Sequence, residues 1–468
     1  MKRLIVLAVV VVALLGLFVG TVQWRVHSDH PESLVRRLRK AKNQEQRERL
    51  IMKLNLSKKD PVGPLLKALE TSDKDPNFRM GILEILFKRQ LHAPEDRIKA
   101  VLGKSLEDAD VVLRRKATEL FATYVVSLDS RALAERIHDT DSEVRRHAYE
   151  VFASNWYTYR GAWVDLVEGE NDKRKELVEE CRNRMTTEKD PDLRFMARAI
   201  VGRQIWDMCR KARETLQGGD IVEAEDLLNK ALELDPENHR ARIRMVRHHL
   251  MTGNKEKALT LADQHGALLR IPVLASAPVV NGDPTEQAWH DAFTSDRFYL
   301  TLSAFTGKPA QGKSQFHIGH YEGKIYVAVL GYEDNLDELV IKHTQRDSAV
   351  WMDDCAEIFF DPSCTEKEVY QFIINAAGAF QDNFQNDPKV NVECEHAAQV
   401  FKDRGYWACE FAVDATAFDG KPITQDSVWG INISRVRIGV GSEHCQWWPT
   451  FVEAHNYHLF PIAVFEME

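Results

Sequence analysis

Residues 351–361, with the sequence WMDDCAEIFFD, contain a turn followed by a strand, and they decide the fold of the C-terminal part of the chain. Two consecutive aspartates are typical of a turn, and the apolar run after them has the length and composition of a buried β-strand. Comparable runs lie at residues 315–319, 324–330, 369–375, 406–413 and 428–434. Turn-like segments separate these runs, and no long helical pattern interrupts them. The pattern predicts an all-β antiparallel sandwich over residues 275–468.

A series of aromatic and polar landmarks runs through the same region in a distinctive order. The landmarks are residues 281–283 (NGD) with Trp289, 325–328 (IYVA), 351–361, 370–378 (YQFIINAAG), 406–410 (YWACE), 429–435 (WGINISR) and Trp448-Pro449 ahead of Phe460. Their order and spacing resemble those of family 9 carbohydrate-binding modules over nearly the whole region. The resemblance implies a site in which aromatic side chains pack on a sugar ring and polar groups bind its hydroxyls.

The resemblance also implies which residues bind the sugar. Trp351 matches the first aromatic wall, Glu357 matches a carboxylate that binds hydroxyls, and Asn375 matches an amide ligand. There are two departures, because Ile373 stands where many members have arginine, and the loop before the last strand offers only Tyr457 as a second aromatic. The full predicted set of ligand-binding residues is Trp351, Glu357, Gln371, Asn375, Trp448 and Tyr457.

The strand at residues 369–375 separates its side chains by face. Its period of two places Gln371, Ile373 and Asn375 toward the ligand, and it places Phe372 with Ile374 toward the core.

Other side chains of the region have two alternative roles. Trp407 and Trp429 lie within apolar strands, so we expect them in the core rather than at the ligand. Asp353, Asp354 and Asp361 either bind a structural calcium ion, since hard cations prefer several carboxylate oxygens, or are solvated turn residues. We expect no other cofactor.

Residues 31–205 are predicted to form an all-α region whose repeats resemble HEAT repeats. A short pattern returns there four times, beginning at Asp75, Asp110, Asp141 and Asp190, with an apolar residue three positions later and arginine after it. Each aspartate is predicted to cap a helix, each apolar residue to begin the buried stripe, and each arginine to point outward or toward the next repeat.

Residues 206–270 contain a second repeat with a period of 34 residues, which is the period of tetratricopeptide repeats. Gly219 and Gly253 are one such pair, and Ala224 and Ala258 are another. Helical repeats of both kinds either act as a stalk or dock a protein partner. An aromatic cluster at Trp156, Tyr157, Tyr159 and Trp163 is either a docking patch or core packing.

The N-terminus carries a targeting segment, predicted over residues 1–25. An apolar run at residues 4–20 follows Lys2 and Arg3, which fits a membrane anchor or a cleaved signal peptide. Both alternatives export the rest of the chain, so we expect it to face the periplasm or the extracellular side. Seven cysteines, five of them after residue 350, are compatible with one or two disulfides.

Charge and motifs exclude several classes of function. Residues 278–468 carry 13 basic and 29 acidic residues, a formal charge of −16. Such a region repels phosphate backbones, so nucleic acid is not an expected partner. No nucleophile elbow, HExxH helix, phosphate loop or dinucleotide fingerprint is present, and an enzyme is not expected. The sequence therefore predicts a membrane-anchored, non-catalytic protein that binds a glycan. The alternative is a protein-interaction scaffold of the cell envelope whose sandwich has lost sugar binding.

Overall fold

The computed structural model describes residues 30–70, 75–92, 96–124, 130–153, 173–301, 308–385, 387, 390–439, 441–450 and 454–467. The chain divides into two compact units, residues 1–197 and 198–468. No helix within the described ranges has the length and apolar character needed to cross a membrane. The predicted anchor or signal peptide at residues 1–25 and the aromatic cluster around Trp156 lie outside the described residues.

The described part of the first unit is helical. Its helices are α1 (Pro31–Arg39), α2 (Gln44–Asn55), α3 (Val62–Glu70), α4 (Pro76–His92), α5 (Asp96–Ser105), α6 (Val111–Tyr124), α7 (Ser130–Ala134), α8 (Ser142–Ala153), α9 (Lys173–Thr187) and the start of α10 (Pro191–Gln217).

The four repeated aspartates cap helices, as predicted. Each side chain accepts a hydrogen bond from the backbone N–H two residues later, at distances of 2.9 to 3.1 Å, which satisfies a donor that the helix leaves open. The apolar residue three positions after each aspartate is buried, namely Phe78, Leu113, Val144 and Leu193.

Three of the repeated arginines bind an acid near the start of a later helix. Arg79 pairs with Asp108, Arg114 lies 2.8 Å from Asp139, and Arg145 lies 2.9 Å from Glu188. These pairs connect consecutive repeats, which confirms the second of the two predicted directions for the arginines.

The second unit begins with helices. After the end of α10 come α11 (Ile221–Leu234), α12 (His239–Met251) and α13 (Lys255–Gln264). Gly219 and Gly253 precede α11 and α13 with φ angles of 93° and 81°, a conformation that glycine adopts without strain. Ala224 and Ala258 are fully buried, so the small side chains allow the helices to pack closely.

Thirteen strands follow these helices within the described residues. They are β1 (Leu268–Ile271), β2 (Phe293–Ser295), β3 (Tyr299–Leu300), β4 (Ser314–Tyr321), β5 (Lys324–Tyr332), β6 (Cys355–Asp361), β7 (Tyr370–Asn375), β8 (Phe380–Phe384), β9 (Cys394–Phe401), β10 (Tyr406–Asp414), β11 (Val428–Arg437), β12 (Glu443–Gln446) and β13 (Ile462–Phe465). A short helix, α14 (Thr416–Asp419), lies between β10 and β11.

The strands form two sheets. The larger sheet has the order β1-β13-β11-β6-β7-β8, with β12 beside β11 and β3 beside β12. The smaller sheet has the order β2-β4-β5-β10-β9. Neighbouring strands are antiparallel except β1 and β13, which are parallel. The predicted antiparallel sandwich is therefore confirmed, with one parallel edge strand added.

The core lies between the two sheets. Phe372 and Ile374 of β7 face it, as predicted from the period of the strand. Trp407 and Trp429 are also part of it, with exposed fractions of 0% and 5%. Both tryptophans are therefore core residues, as expected.

The sandwich is packed against the helices. Strand β1, which pairs with β13, lies before residue 275, where the sandwich is predicted to begin. The Arg247 side chain of α12 lies 3.1 Å from Asp361 at the end of β6, and both side chains are fully buried. Arg244 pairs with Glu366 at 2.9 Å. Helices α11 to α13 and the sandwich thus belong to one unit rather than to separate domains.

The first landmark of the sandwich has a structural role. The buried Glu410 accepts hydrogen bonds from the backbone N–H groups of Asn281 and Gly282 and from Trp289 Nε1, at 2.9, 2.7 and 2.8 Å. Gly282 has a φ of 89°, and a Cβ atom there would lie 2.8 Å from the backbone of Ala398. The glycine is therefore required by close approach of two backbone segments.

The cysteines differ from expectation. All seven are unpaired, and six of them are buried. The predicted disulfides are not formed in this structure.

Candidate ligand-binding site

The face of the larger sheet that points away from the core carries a buried row of polar side chains. Strand register places Gln446, Ser434, Glu357, Ile373 and Gln381 side by side on neighbouring strands. A second row, two residues along each strand, contains Asn432, Phe359, Gln371 and Asn383. We call this surface the outer face. Its polar groups are the main candidates for binding a ligand.

Glu357 is the central acid of the outer face. Its side chain is 5% exposed, and its Oε2 atom has no hydrogen-bond partner among the described residues. Burial raises the pKa of Glu357 to about 7, and a hydrogen bond from Ser434 opposes this effect only in part. A buried acceptor without a donor costs about 1–3 kcal/mol, so a ligand hydroxyl at this atom would recover free energy.

The amides of β7 and β8 form a connected chain beside Glu357. Gln381 Nε2 donates to Asn383 Oδ1 at 3.2 Å, and Asn383 Nδ2 donates to Gln371 Oε1 at 3.0 Å. His455 Nε2 lies 3.4 Å from the same oxygen of Gln371. Gln381 Oε1 is buried and lacks a partner among the described residues. The predicted residue Gln371 is thus on the outer face, but its oxygen is already bound.

Trp351 lies on an exposed turn next to the outer face. It belongs to a short 3-10 helix, Val350–Met352, and half of its surface is exposed. The preceding residue, Val350, is fully buried and packs with Ile373, which lies in the same row as Glu357. Trp351 is therefore not a core residue. Its position is compatible with the predicted role as an aromatic wall.

The segment after β12 folds back onto the outer face. Asn432 Nδ2 donates to the carbonyl of Trp448 at 3.0 Å, and Trp448 N donates to Asn432 Oδ1 at 3.1 Å. Thr450 donates to Gln446. Tyr457 is half-buried and packs against Phe359 of the second row, with ring centroids 6.5 Å apart. Tyr457 is the predicted aromatic of this segment that does lie at the outer face.

Two predicted ligand-binding residues have other roles. Trp448 is 3% exposed and packs in a cluster with residues of α12, and the His239 ring lies 5.0 Å from its own ring. In this structure it fills the space between helix and sandwich. Asn375 is fully buried and its hydrogen-bonding capacity is used.

The bonds of Asn375 hold a turn in place. Its Oδ1 accepts from Ala377 N and Ala379 N at 3.1 and 2.9 Å. Its Nδ2 donates to the carbonyl of His343 and to Asp353 Oδ2 at 2.8 and 2.9 Å. Since an amide offers two donors and accepts about two bonds, nothing is left for a ligand. In this structure Asn375 therefore holds a turn.

The three aspartates of the calcium alternative do not share a site. Asp353 and Asp354 precede β6 and Asp361 ends it, so at about 3.3 Å per residue the two ends are roughly 20 Å apart. Burial opposes ionisation of Asp353, but hydrogen bonds from the His343 backbone, Asn375 and the Lys342 backbone lower its pKa. Asp354 accepts from the backbone N–H groups of Val340, Ile438 and Gly439.

Asp361 is bound by Arg247 and by two backbone N–H groups. All three aspartates are buried, and their hydrogen bonds anchor loops.

Sequence reasoning missed part of the outer face. Gln381, Asn383, Ser434 and Gln446 were not among the predicted residues. A pattern was present, since Gln381 and Asn383 alternate with other residues along β8, and Asn432 and Ser434 do so along β11. Polar residues at alternate positions of strands with apolar partners predict a polar second face.

Comparison with known proteins gives matches to both parts of the second unit. A model of the tetratricopeptide repeat family matches residues 215–268. No curated protein is significantly similar to the chain. Among solved structures, a Bacteroides uniformis protein to which carbohydrate binding has been attributed matches with 15% identity and a TM-score of 0.34, over 42% of this chain and 99% of its own.

Family 9 carbohydrate-binding modules are also among the similar structures. One from Caldicellulosiruptor kristjanssonii, in complex with cellotriose, matches with 13% identity and a TM-score of 0.34, over 43% of this chain and 94% of its own. A family 9 module from the same organism in complex with glucose matches with 14% identity and a TM-score of 0.33, over 42% of this chain and 96% of its own. The resemblance that the sequence landmarks predict is thus met again among solved structures.

Proposed function

We propose that this chain is a non-catalytic protein that binds a glycan on the outer face of the larger sheet. The observation that carries the proposal is the buried polar row beside the exposed Trp351, in which Glu357 Oε2 and Gln381 Oε1 lack donors among the described residues. Native proteins rarely leave buried polar atoms unpaired, and a binding role is one explanation when they do.

The chemistry of the row favours a neutral ligand rich in hydroxyls. Gln381 Oε1 accepts hydrogen bonds, and Glu357 Oε2 accepts them when it is ionised, so a ligand that donates hydrogen bonds suits both atoms. Amides such as Gln371 and Asn383 lie next to them, and they combine donors with acceptors as hydroxyl groups do. A sugar ring adds an apolar face that packs on an indole, which Trp351 can provide. We infer that a sugar unit stacks on Trp351 and donates a hydroxyl to Glu357.

The ligand enters a narrow site. Glu357, Gln371, Gln381 and Asn383 are each less than one-tenth exposed, so only part of a glycan can reach them. This favours binding of the terminal sugar of a glycan over an internal sugar, because an internal sugar would have to enter with both neighbouring sugars attached.

The rest of the chain serves to present this site. We propose that the N-terminal segment exports the protein and anchors it in a membrane, and that the helical repeats act as a stalk. A C-terminal alkaline phosphatase fusion tests the topology, because it is active only outside the cytoplasm. An inactive phosphatase beside an active cytoplasmic reporter would refute export.

Titration of the full chain with a glycan panel that includes glucose and cellotriose tests the binding proposal. Replacing Trp351 by alanine should weaken binding by more than about 2 kcal/mol, or roughly 30-fold, because truncating a stacked aromatic removes most of its contact area. The matched control is Met352→Ala, on the same turn and with the same exposed fraction of 50%. It should bind as the wild type does.

Two results would contradict the glycan proposal. One is the absence of any glycan bound at millimolar concentration, and the other is wild-type binding by a folded Trp351→Ala variant. Either would favour the alternative, a scaffold in which the repeats dock a protein of the cell envelope.

A further inference from the structure

Three potential metal ligands converge between helices α11 and α12, away from the outer face. Glu225 comes from α11, and His248 and His249 come from α12. Glu225 Oε2 lies 3.6 Å from His248 Nε2, and Glu225 Oε1 lies 3.7 Å from His249 Nε2. One ligand atom from each residue can be chosen so that all lie within 4.8 Å of one another. These separations are too long for hydrogen bonds, so the three side chains face one another without bonding.

The side chains of both histidines are buried. His248 is 1% exposed and His249 is 3% exposed. Within the described part of the chain, both ring nitrogens of His248 lack a hydrogen-bond partner. The Nε2 atom of His249 lacks one as well. Leaving such nitrogens unpaired in a buried position is unfavourable, and an ion at this point would satisfy them.

The ligands are in the protonation states that metals require. Burial lowers the pKa of both histidines, so neutral imidazoles are available near neutral pH. Lys257 lowers the pKa of Glu225, which is therefore ionised. Ionised carboxylate and neutral imidazole are the forms that bind a divalent ion.

We propose that Glu225, His248 and His249 bind one divalent transition-metal ion of the zinc class, with water completing its coordination. Imidazole nitrogens favour zinc, copper and nickel over magnesium and calcium. Metal–ligand bonds of about 2.0–2.1 Å place the ligand atoms of a tetrahedral zinc roughly 3.3 Å apart. The 3.6 and 3.7 Å separations involve the two different oxygens of Glu225, and the chosen ligand atoms lie within 4.8 Å of one another, so the ligand atoms must move closer by up to about 1.5 Å to bind one ion. The Glu225 side chain is one-third exposed, which leaves a route for the ion and its water.

Lys257 tunes this site. Lys257 belongs to α13, and its Nζ forms an ion pair with Glu225 Oε1 at 3.1 Å. Its positive charge also opposes a cation, so it lowers the affinity. Replacing it with glutamine should strengthen metal binding, which is the opposite of what replacing a ligand does.

The experiment uses the full chain, freed of metal with a chelator that is then removed. Titration with Zn²⁺ in a calorimeter should give one ion per chain, and Co²⁺ should give the visible absorption of a tetrahedral site. Glu225→Gln and His248→Met should each weaken Zn²⁺ binding at least about 10-fold, since even groups that only support ligands cost that much. Lys257→Gln should strengthen it, and His265→Gln, in the same helical region, should leave it unchanged.

A structural role for the histidines predicts other results. His248→Met fills the same space without an unpaired nitrogen, so the metal-free variant should melt at or above the temperature of the metal-free wild type. Of these two proteins, only the wild type should show a higher melting temperature after Zn²⁺ is added. Absence of binding at micromolar Zn²⁺, or equal binding by wild type, Glu225→Gln and His248→Met, would overturn the proposal.

Discussion

Replacing Glu357 with glutamine tests how the buried acid of the outer face behaves. The substitution keeps the size of the side chain and one acceptor, but it removes the charge. Glu357 is 5% exposed, and burial raises its pKa from 4.5 to about 7. The unfolded chain loses this proton near pH 4.5, whereas the folded chain keeps it up to about pH 7. Between these values the folded state binds more protons, so stability falls as pH rises through this window and then levels off.

The size of the effect follows from the pKa values. A change from 4.5 to about 7 corresponds to roughly 3 kcal/mol of stability, at about 1.4 kcal/mol per pKa unit. The acid is fully buried, so solvent does not reduce this value much. In Glu357→Gln the fall should be missing. The amide of the glutamine needs new hydrogen-bond partners, which changes the stability by an amount that does not depend on pH. The informative quantity is therefore the slope of the free energy of unfolding against pH, rather than its value at one pH.

The assay is chemical denaturation from about pH 5 to about pH 8, followed by tryptophan fluorescence. The free energy of unfolding of the wild type should fall over this range relative to Glu357→Gln. Glu368→Gln, an exposed acid before β7, is the control and should parallel the wild type. Parallel curves for the wild type and Glu357→Gln would refute the assigned pKa. Glycan affinity should rise with pH through about 7 only in the wild type, because donated hydroxyls favour the ionised carboxylate.

Three further results are expected. Asn375→Ala should lower the free energy of unfolding by about 2–4 kcal/mol, at about 1 kcal/mol per lost hydrogen bond, and should leave glycan affinity unchanged in the folded protein; unchanged stability in urea would contradict this. Arg247→Met should lower the free energy of unfolding by about 3–5 kcal/mol, because it leaves Asp361 buried and without this arginine. Adding Asp361→Asn should restore part of that loss, and an Arg247→Met variant as stable as the wild type would contradict the prediction. A fragment of residues 198–468 should unfold cooperatively, whereas one of residues 275–468 should be much less stable, since it lacks β1 and Arg247; equal melting temperatures would be the opposite result.

The faces of the strands could be predicted from the sequence. The alternation of β7 assigned Phe372 and Ile374 to the core, and the structure agrees. The aspartate caps of the helical repeats were also predictable, because a cap involves residues only two or three positions apart. Both features depend on local geometry, which sequence spacing encodes directly.

The partners of individual side chains could not be predicted in this way. Asn375 was placed on the correct face, but its bonds reach His343 and Asp353, which are 32 and 22 residues away. Trp448 packs against His239 of α12, which is more than 200 residues away. A pattern of spacing states which way a side chain points, but it does not state which distant segment covers it.

Part of the negative charge of the sandwich has a structural cause. Residues 278–468 carry a formal charge of −16, but part of this acidity is paired with helix α12. Arg247 binds Asp361, and Arg244 binds Glu366. The same two arginines also donate to the carbonyls of Tyr457, His458 and Phe460.

Those carbonyls belong to the segment that covers the outer face. Tyr457 packs there against Phe359, and Phe360, the next residue of β6, faces the core. Helix α12 therefore holds the segment that borders one side of the candidate site. Because α12 positions the segment through buried, charged hydrogen bonds, it holds the segment more firmly than a flexible tether would. The tetratricopeptide-like helices thus position part of the outer face, and some of the acidic residues of the sandwich pair with the basic residues of α12.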